Sequence, residues 1–145
     1  MSFVQIEADR RTTDSKIFDV NVKDPIAMDA SQNGRLFAVV EKGQDQVTFY
    51  CHGNAEPYAV YNGNGGTFKP VDVCFYFIGD KETLVIADWM NDLLHVLDVS
   101  EGCALIGQVG GECPYLTQPT ALCAEKKGTL WIGCQDGRVL TLTHL

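Results

Sequence analysis

The sequence predicts an all-β fold: a partial β-propeller of about three four-stranded antiparallel blades. Three observations point there. First, three stretches repeat one another, beginning Pro25-Ile26-Ala27-Met28-Asp29, Pro70-Val71-Asp72-Val73-Cys74 and Pro119-Thr120-Ala121-Leu122-Cys123. Each leads through a turn into an apolar run starting at Leu36, Leu84 or Leu130, and the prolines are 45 and 49 residues apart. A period of this size, filled with strands, is that of propeller blades. Second, Gly or Pro interrupts most windows of helical length, and apolar positions recur at period two or in short runs. Third, 145 residues with 46% hydrophobic content suffice for one domain with a real core.

The elements follow in order. Residues 1–24 hold two strand-like runs, 3–7 and 16–22, joined by a polar connection. They read as the outer strands of a preceding blade, or as a ring-closing strand in which 3–7 pairs with the open edge of the last repeat. The first blade spans 25–69, with strands predicted at 26–30, 36–40, 46–51 and 58–61. The second spans 70–118, with strands at 71–77, 84–88, 93–99 and 104–109. The last spans 119–145, with strands at 120–124, 130–134 and 138–143, and lacks a fourth. Asn33-Gly34 and Lys127-Gly128 suit tight hairpin turns, because Gly takes positive φ without a Cβ clash. A proline opening each first strand fits a sheet edge, where no ladder donor is lost. Ser100-Glu101-Gly102-Cys103 resembles a helix cap, but no apolar helical stripe follows it.

Charge and cysteine usage exclude several classes. The net charge is −8, from 19 acidic and 11 basic residues, which opposes a nucleic-acid footprint. Arg10-Arg11 and Lys126-Lys127, the densest basic pairs, fall in predicted turns. No apolar run approaches the ~18 residues of a membrane span. The first residues lack a secretory pattern, so the expected compartment is the cytoplasm. The six cysteines contain no CxxC pair and keep no ligand spacing with His52, His95 or His144. Cys74 and Cys123, at matching strand positions, read as buried reduced thiols. Cys103 and Cys113 flank a turn-rich stretch that would allow an approach without requiring one. The histidines show no evident acid partner. No catalytic constellation, metal site or cofactor motif is expected, and Asn62-Gly63-Asn64-Gly65-Gly66 reads as a blade-to-blade loop.

The second repeat resembles an NHL repeat at Pro70, Ala87-Asp88, Asn91 and His95-Val96-Leu97. The third repeat keeps Pro119 and Leu130-Trp131-Ile132-Gly133 but has Cys134 where the pattern has Asp, and the first has Val40-Glu41 in place of Ala-Asp. The resemblance implies half of a six-bladed ring. The carboxyl end is similar to the last blade of tripartite-motif ubiquitin ligases of the NHL type, in which the propeller selects a substrate. The zinc spacings of a RING or B-box are absent, so ligase activity would reside in upstream modules.

Asp88 and Asn91 are expected to stabilise a blade turn. Trp131, flanked by Leu130 and Ile132, is expected in blade packing. The loops between second and third strands share a face with the loops leading into each blade. There Trp89, Asp92, Tyr115, Asp136 and Arg138 are candidate contacts, since loops carry function and Trp, Tyr and Arg anchor interfaces. That face counts Glu41, Asp45, Asp88, Asp92, Glu112 and Asp136 against Lys42, Lys69 and Arg138, which favours a basic protein segment over RNA. The expected function is therefore a non-catalytic interaction module. The alternatives are an RNA-binding NHL surface or a propeller enzyme of lactonase or lyase type, with a metal in the central channel. For the enzyme, Asp72 is the one mid-strand acid considered, and its counterparts Ala27 and Ala121 offer no ligands. Open blade edges invite pairing. They would be completed by further residues of a ring or by a second copy, so the isolated chain is expected to be a dimer or poorly soluble.

Overall fold

Strands leave each proline and return in antiparallel meanders, as the repeat predicts. The computed structural model describes residues 2–4, 17–63, 66–125 and 128–143, with side chains from Val20 onward. The predicted connection 9–15 with Arg10-Arg11, residues 5–7 of the first run, Asn64-Gly65, Lys126-Lys127 and His144 lie outside the described residues.

The first blade is β3 (Pro25–Ala30), β4 (Leu36–Glu41), β5 (Val47–Cys51) and β6 (Pro57–Tyr61), paired in that order. The second is β7 (Pro70–Ile78), β8 (Lys81–Asp88), β9 (Leu93–Asp98) and β10 (Ala104–Gly110). The third is β11 (Pro119–Ala124), β12 (Leu130–Cys134) and β13 (Val139–Leu142), a three-stranded sheet. Upstream, β1 (Ser2–Val4) pairs with β2 (Ile17–Asp19), and not with β13 as the ring-closing alternative had it. Ser100 lies in a short 3-10 turn, Val99–Glu101, capped by the Asp98 carboxylate and stopped by Gly102 at φ 66°.

One local device recurs in all three repeats. Pro25, Pro70 and Pro119 pair with Glu41, Asp88 and Cys134, and a bulge follows at once. The residue after each second strand then donates back across the proline. Lys42 N–H reaches Asp24 O, Trp89 N–H reaches Lys69 O and Gln135 N–H reaches Gln118 O, each at 3.0 Å. Proline can sit there because a strand start needs no donor from it.

Packing between blades explains the uninterrupted apolar runs. Along β8, Leu84 and Ile86 enter the core shared with the first blade, while Val85 and Ala87 enter the core shared with the third. A strand buried on both faces reads as continuous rather than alternating. In β12 only Leu130, Ile132 and Cys134 are buried, against the second blade. Trp131 is 41% exposed, which corrects its expected place in blade packing: no sheet covers that side among the described residues. Cys123, its cross-strand neighbour, is exposed for the same reason, whereas Cys74 is buried.

Inner strands are also joined by carboxylates. Asp29 Oδ2 accepts Phe75 N–H at 2.8 Å, and Asp72 Oδ2 accepts Leu122 N–H at 2.7 Å. Each second oxygen caps its own chain, at Ala30 N–H and Val73 N–H, both 2.9 Å. Each blade thus satisfies an edge donor of the next.

Candidate functional site

The loop face rests on a buried polar network that ties the first blade to the second. Asp88, at the end of β8, is fully buried. Its Oδ1 accepts Lys69 N–H at 3.1 Å, and its Oδ2 accepts the Asn91 amide at 2.8 Å. His95 Nε2 also donates to Oδ2, at 2.8 Å. This corrects the sequence expectation that the histidines lack an acid partner. On the other side of the ring, Nδ1 is hydrogen-bonded with the Tyr61 hydroxyl at 2.7 Å. Phe68 packs edge-on against both rings, at 4.9 Å from His95 and 5.4 Å from Tyr61. Asn91 reaches on to Thr67, accepting its hydroxyl and donating to its carbonyl.

Burial alone would raise the Asp88 pKa, but the bonds from His95, Asn91 and Lys69 N–H, with the His95 charge, hold it below the ordinary carboxylate range. Tyr61 is pushed up, first by burial and then by the Asp88 charge. An ionised carboxylate with both oxygens hydrogen-bonded is an architectural arrangement. It also fixes the turn that presents Trp89.

Tyr115, Asp136 and Arg138 form one group, and Trp89 is tied to the same β12–β13 turn through Gln135. The Trp89 indole N–H donates to Gln135 Oε1, linking the β8–β9 turn to the β12–β13 turn. The Arg138 guanidinium lies over the Tyr115 ring, 5.6 Å from its centre. Asp136 accepts Arg138 N–H at 3.0 Å, pairs with the Arg138 side chain at 3.3 Å and accepts the Thr117 hydroxyl at 3.3 Å. Asp92 Oδ1 accepts Gln118 N–H at 2.7 Å, and both residues hold positive φ. Asp92 and Asp136 therefore shape the loops, while Tyr115, 61% exposed, is the aromatic surface they present.

The same geometry gives most of the acids counted in the sequence a hydrogen-bond partner. Asp88 is buried, Asp92 caps Gln118, and Asp136 pairs with Arg138. Asp45 pairs with Lys69 at 2.7 Å, and Glu41 accepts Lys23 N–H at 3.0 Å. Glu112 is the acid of that group given no partner by these bonds. The face presents the Tyr115 ring beside the Asp136–Arg138 ion pair.

Both Asp72 oxygens are engaged by backbone donors, burial pushes its pKa up, and the matching positions are Ala27 and Ala121. Among the described residues no three His, Cys, Asp or Glu side chains converge. All six cysteines are free thiols, with Cys103 and Cys113 packed in different cores. Burial pushes the Cys74 thiol up to about 12.

Three antiparallel sheets of four, four and three strands, joined inner edge to inner edge, define part of a β-propeller. No protein-family model matches the chain, and no curated protein matches it in sequence. Among solved structures it is similar to a luciferin-regenerating enzyme, with a TM-score of 0.68 and 15% identity over 99% of this chain and 52% of that one. It is also similar to the hydrazine synthase of Kuenenia stuttgartiensis, with a TM-score of 0.59 and 15% identity over 90% of this chain and 32% of that one. The chain spans about half of the first structure and a third of the second. At this identity the likeness shows the fold alone.

Proposed function

We propose that this chain is a non-catalytic interaction module of the cytoplasm, the carboxyl-terminal part of an NHL-type propeller whose loop face recruits a protein. The observation that carries this reading is the joining of two blade turns and one lead-in loop into one surface. Trp89 is tied to Gln135, and Arg138 is stacked on Tyr115. Rigid aromatic and Arg anchors of this kind dominate protein interfaces. The tripartite-motif resemblance gives the partner its class, a substrate for ubiquitination by modules outside these residues. The pairing of Asp45 with Lys69 and of Asp136 with Arg138 adds an apolar or aromatic patch to what the expected basic segment would offer.

Affinity capture from cell extract tests it, comparing the native chain with a Trp89→Ala/Tyr115→Ala/Arg138→Ala variant and a Tyr58→Ala control. A discrete set of proteins lost only with the triple variant supports the reading. Identical sets from native and triple-variant chains would sink it.

A second reading keeps the sequence-based alternative of a catalytic propeller with a channel metal; the solved structure of similar fold is itself an enzyme. Calorimetric titration with calcium and with zinc separates the two. Stoichiometric uptake of either ion favours the enzyme.

A further inference from the structure

The joint between the first and second blades holds different chemistry at its two ends. At the loop-face end lies the polar network, in which Tyr61 of the first blade meets His95 of the second. At the opposite end lie two thiols. Cys51 is the last residue of β5, across from Leu36. Cys103 stands between Gly102 and β10 of the second blade. Leu36 and Cys103 belong to the apolar core that the two blades share, and the half-buried Cys51 packs against that core.

Two features set Cys103 apart. It holds φ 63° directly after Gly102 at φ 66°, a left-handed conformation that a residue with a Cβ seldom takes. Burial pushes its thiol up to about 11, and the Asp98 charge and the Cys51 thiol push in the same direction. That last influence places Cys51 nearby. The pair on the next joint differs. Cys74 of β7 also senses Cys123 of β11. Leu122 and Ala124, however, pack into the core that holds Cys74, and side chains alternate along a strand. Cys123 therefore lies on the far side of β11, where it is exposed. Cys51 and Cys103 instead meet one core.

We propose that Cys51 and Cys103 are a reversible redox pair, which closes a disulfide across the joint when a small-molecule disulfide oxidises it. Cys51 is the more accessible thiol and reacts first. Its thiolate bonds to one sulfur of the small disulfide and releases the other as a thiol. Cys103 then gives its proton to solvent and attacks the Cys51 sulfur, which releases the second small thiol. Two protein thiols are oxidised and one disulfide is reduced to two thiols. The raised pKa of Cys103 makes its step the slow one at neutral pH. The bond fastens the joint at the end away from the loop face, and a reductant frees it. This inference rests on the joint between the blades and not on the loop-face reading.

Peptide mapping tests it. The native chain is incubated with oxidised glutathione in the absence of denaturant, with circular dichroism as the check on folding. Remaining thiols are then blocked, and peptides are weighed before and after reduction. The expected product is a peptide pair joined through Cys51 and Cys103, formed faster at alkaline than at neutral pH and lost on reduction. The oxidised chain should unfold at higher urea than the reduced chain, because the bond restricts the unfolded state. Cys51→Ser should abolish that difference, and Cys123→Ser should keep it. A folded native chain that retains both thiols, that ends with glutathione on Cys51, or that joins either cysteine to another one would overturn the proposal.

Discussion

At the end of its second strand the middle blade carries Asp88 and the last blade carries Cys134, and the two positions share one backbone frame. Both pair with the blade's opening proline, both precede a bulge on the facing strand, and both are followed by the same N–H to carbonyl bond. The chemistry inside the frame is opposite. Asp88 gathers Lys69, Asn91 and His95, and through His95 reaches Tyr61 of the first blade. Cys134 packs with Leu130 and Ile132 in an apolar core. The frame is thus a property of proline, bulge and turn, whereas the buried acid is an addition that locks one blade to its neighbour.

The largest expected effect separates these two positions. Asp88→Ala leaves a buried imidazole, an amide and a backbone N–H without their acceptor, and should cost about 3–5 kcal/mol. Cys134→Ala removes one sulfur atom from an apolar site and should cost about 1 kcal/mol. Urea unfolding of the two variants checks this. Equal costs would show that the acid adds nothing to the frame.

The comparison sharpens with pH. Asp88 is held below its unfolded-state value, so its stabilisation is full above the ordinary carboxylate range and is lost as pH falls through the lowered pKa. Asp98, lowered first by the Ser100 hydroxyl and also by Lys81, acts in the same direction. Asp72, raised by burial, acts in the opposite one. Asp88→Asn should therefore flatten part of the acid limb of a stability-against-pH curve, while Cys134→Ala should leave that limb unchanged. Parallel acid limbs in native and Asp88→Asn chains would contradict the assignment.

The smallest effect belongs to the loop face. Tyr115→Ala and Arg138→Ala remove exposed contacts and should each change stability by about 0.5 kcal/mol or less. A thermal melt reads this directly, and a larger loss would mean that the pair is structural.

How far the sequence was legible follows from the kind of signal each feature leaves. The repeat located each of the β3–β13 strands within a few residues, because period and turn residues are local. Trp131 was misplaced because a continuous apolar run implies sheets on both sides, and nothing in the run Leu130-Trp131-Ile132 says that one side is bare. The Asp88–His95 pair was missed although its trace was present. With Asn91-Asp92 at the turn, Ile86 faces His95 and Asp88 faces Leu93, a diagonal offset that long side chains bridge. Tyr61 and Phe68 left no such trace, since their contact with His95 crosses between blades. Asp29 was passed over because its partner, Phe75 N–H, lies 46 residues away. The loop residues Trp89, Tyr115 and Arg138 stood out by type, but the duties of Asp92 and Asp136 depend on where loops meet.

The buried network is held here to act across the joint between blades, and a double-mutant cycle measures that directly. Tyr61→Phe in the first blade and Asp88→Asn in the second share His95 as their only common partner in the network. Unfolding free energies of the two single variants and the double variant should reveal a coupling of about 0.5 kcal/mol or more. Effects that add to within about 0.3 kcal/mol would mean that the two blades are held together by apolar packing alone.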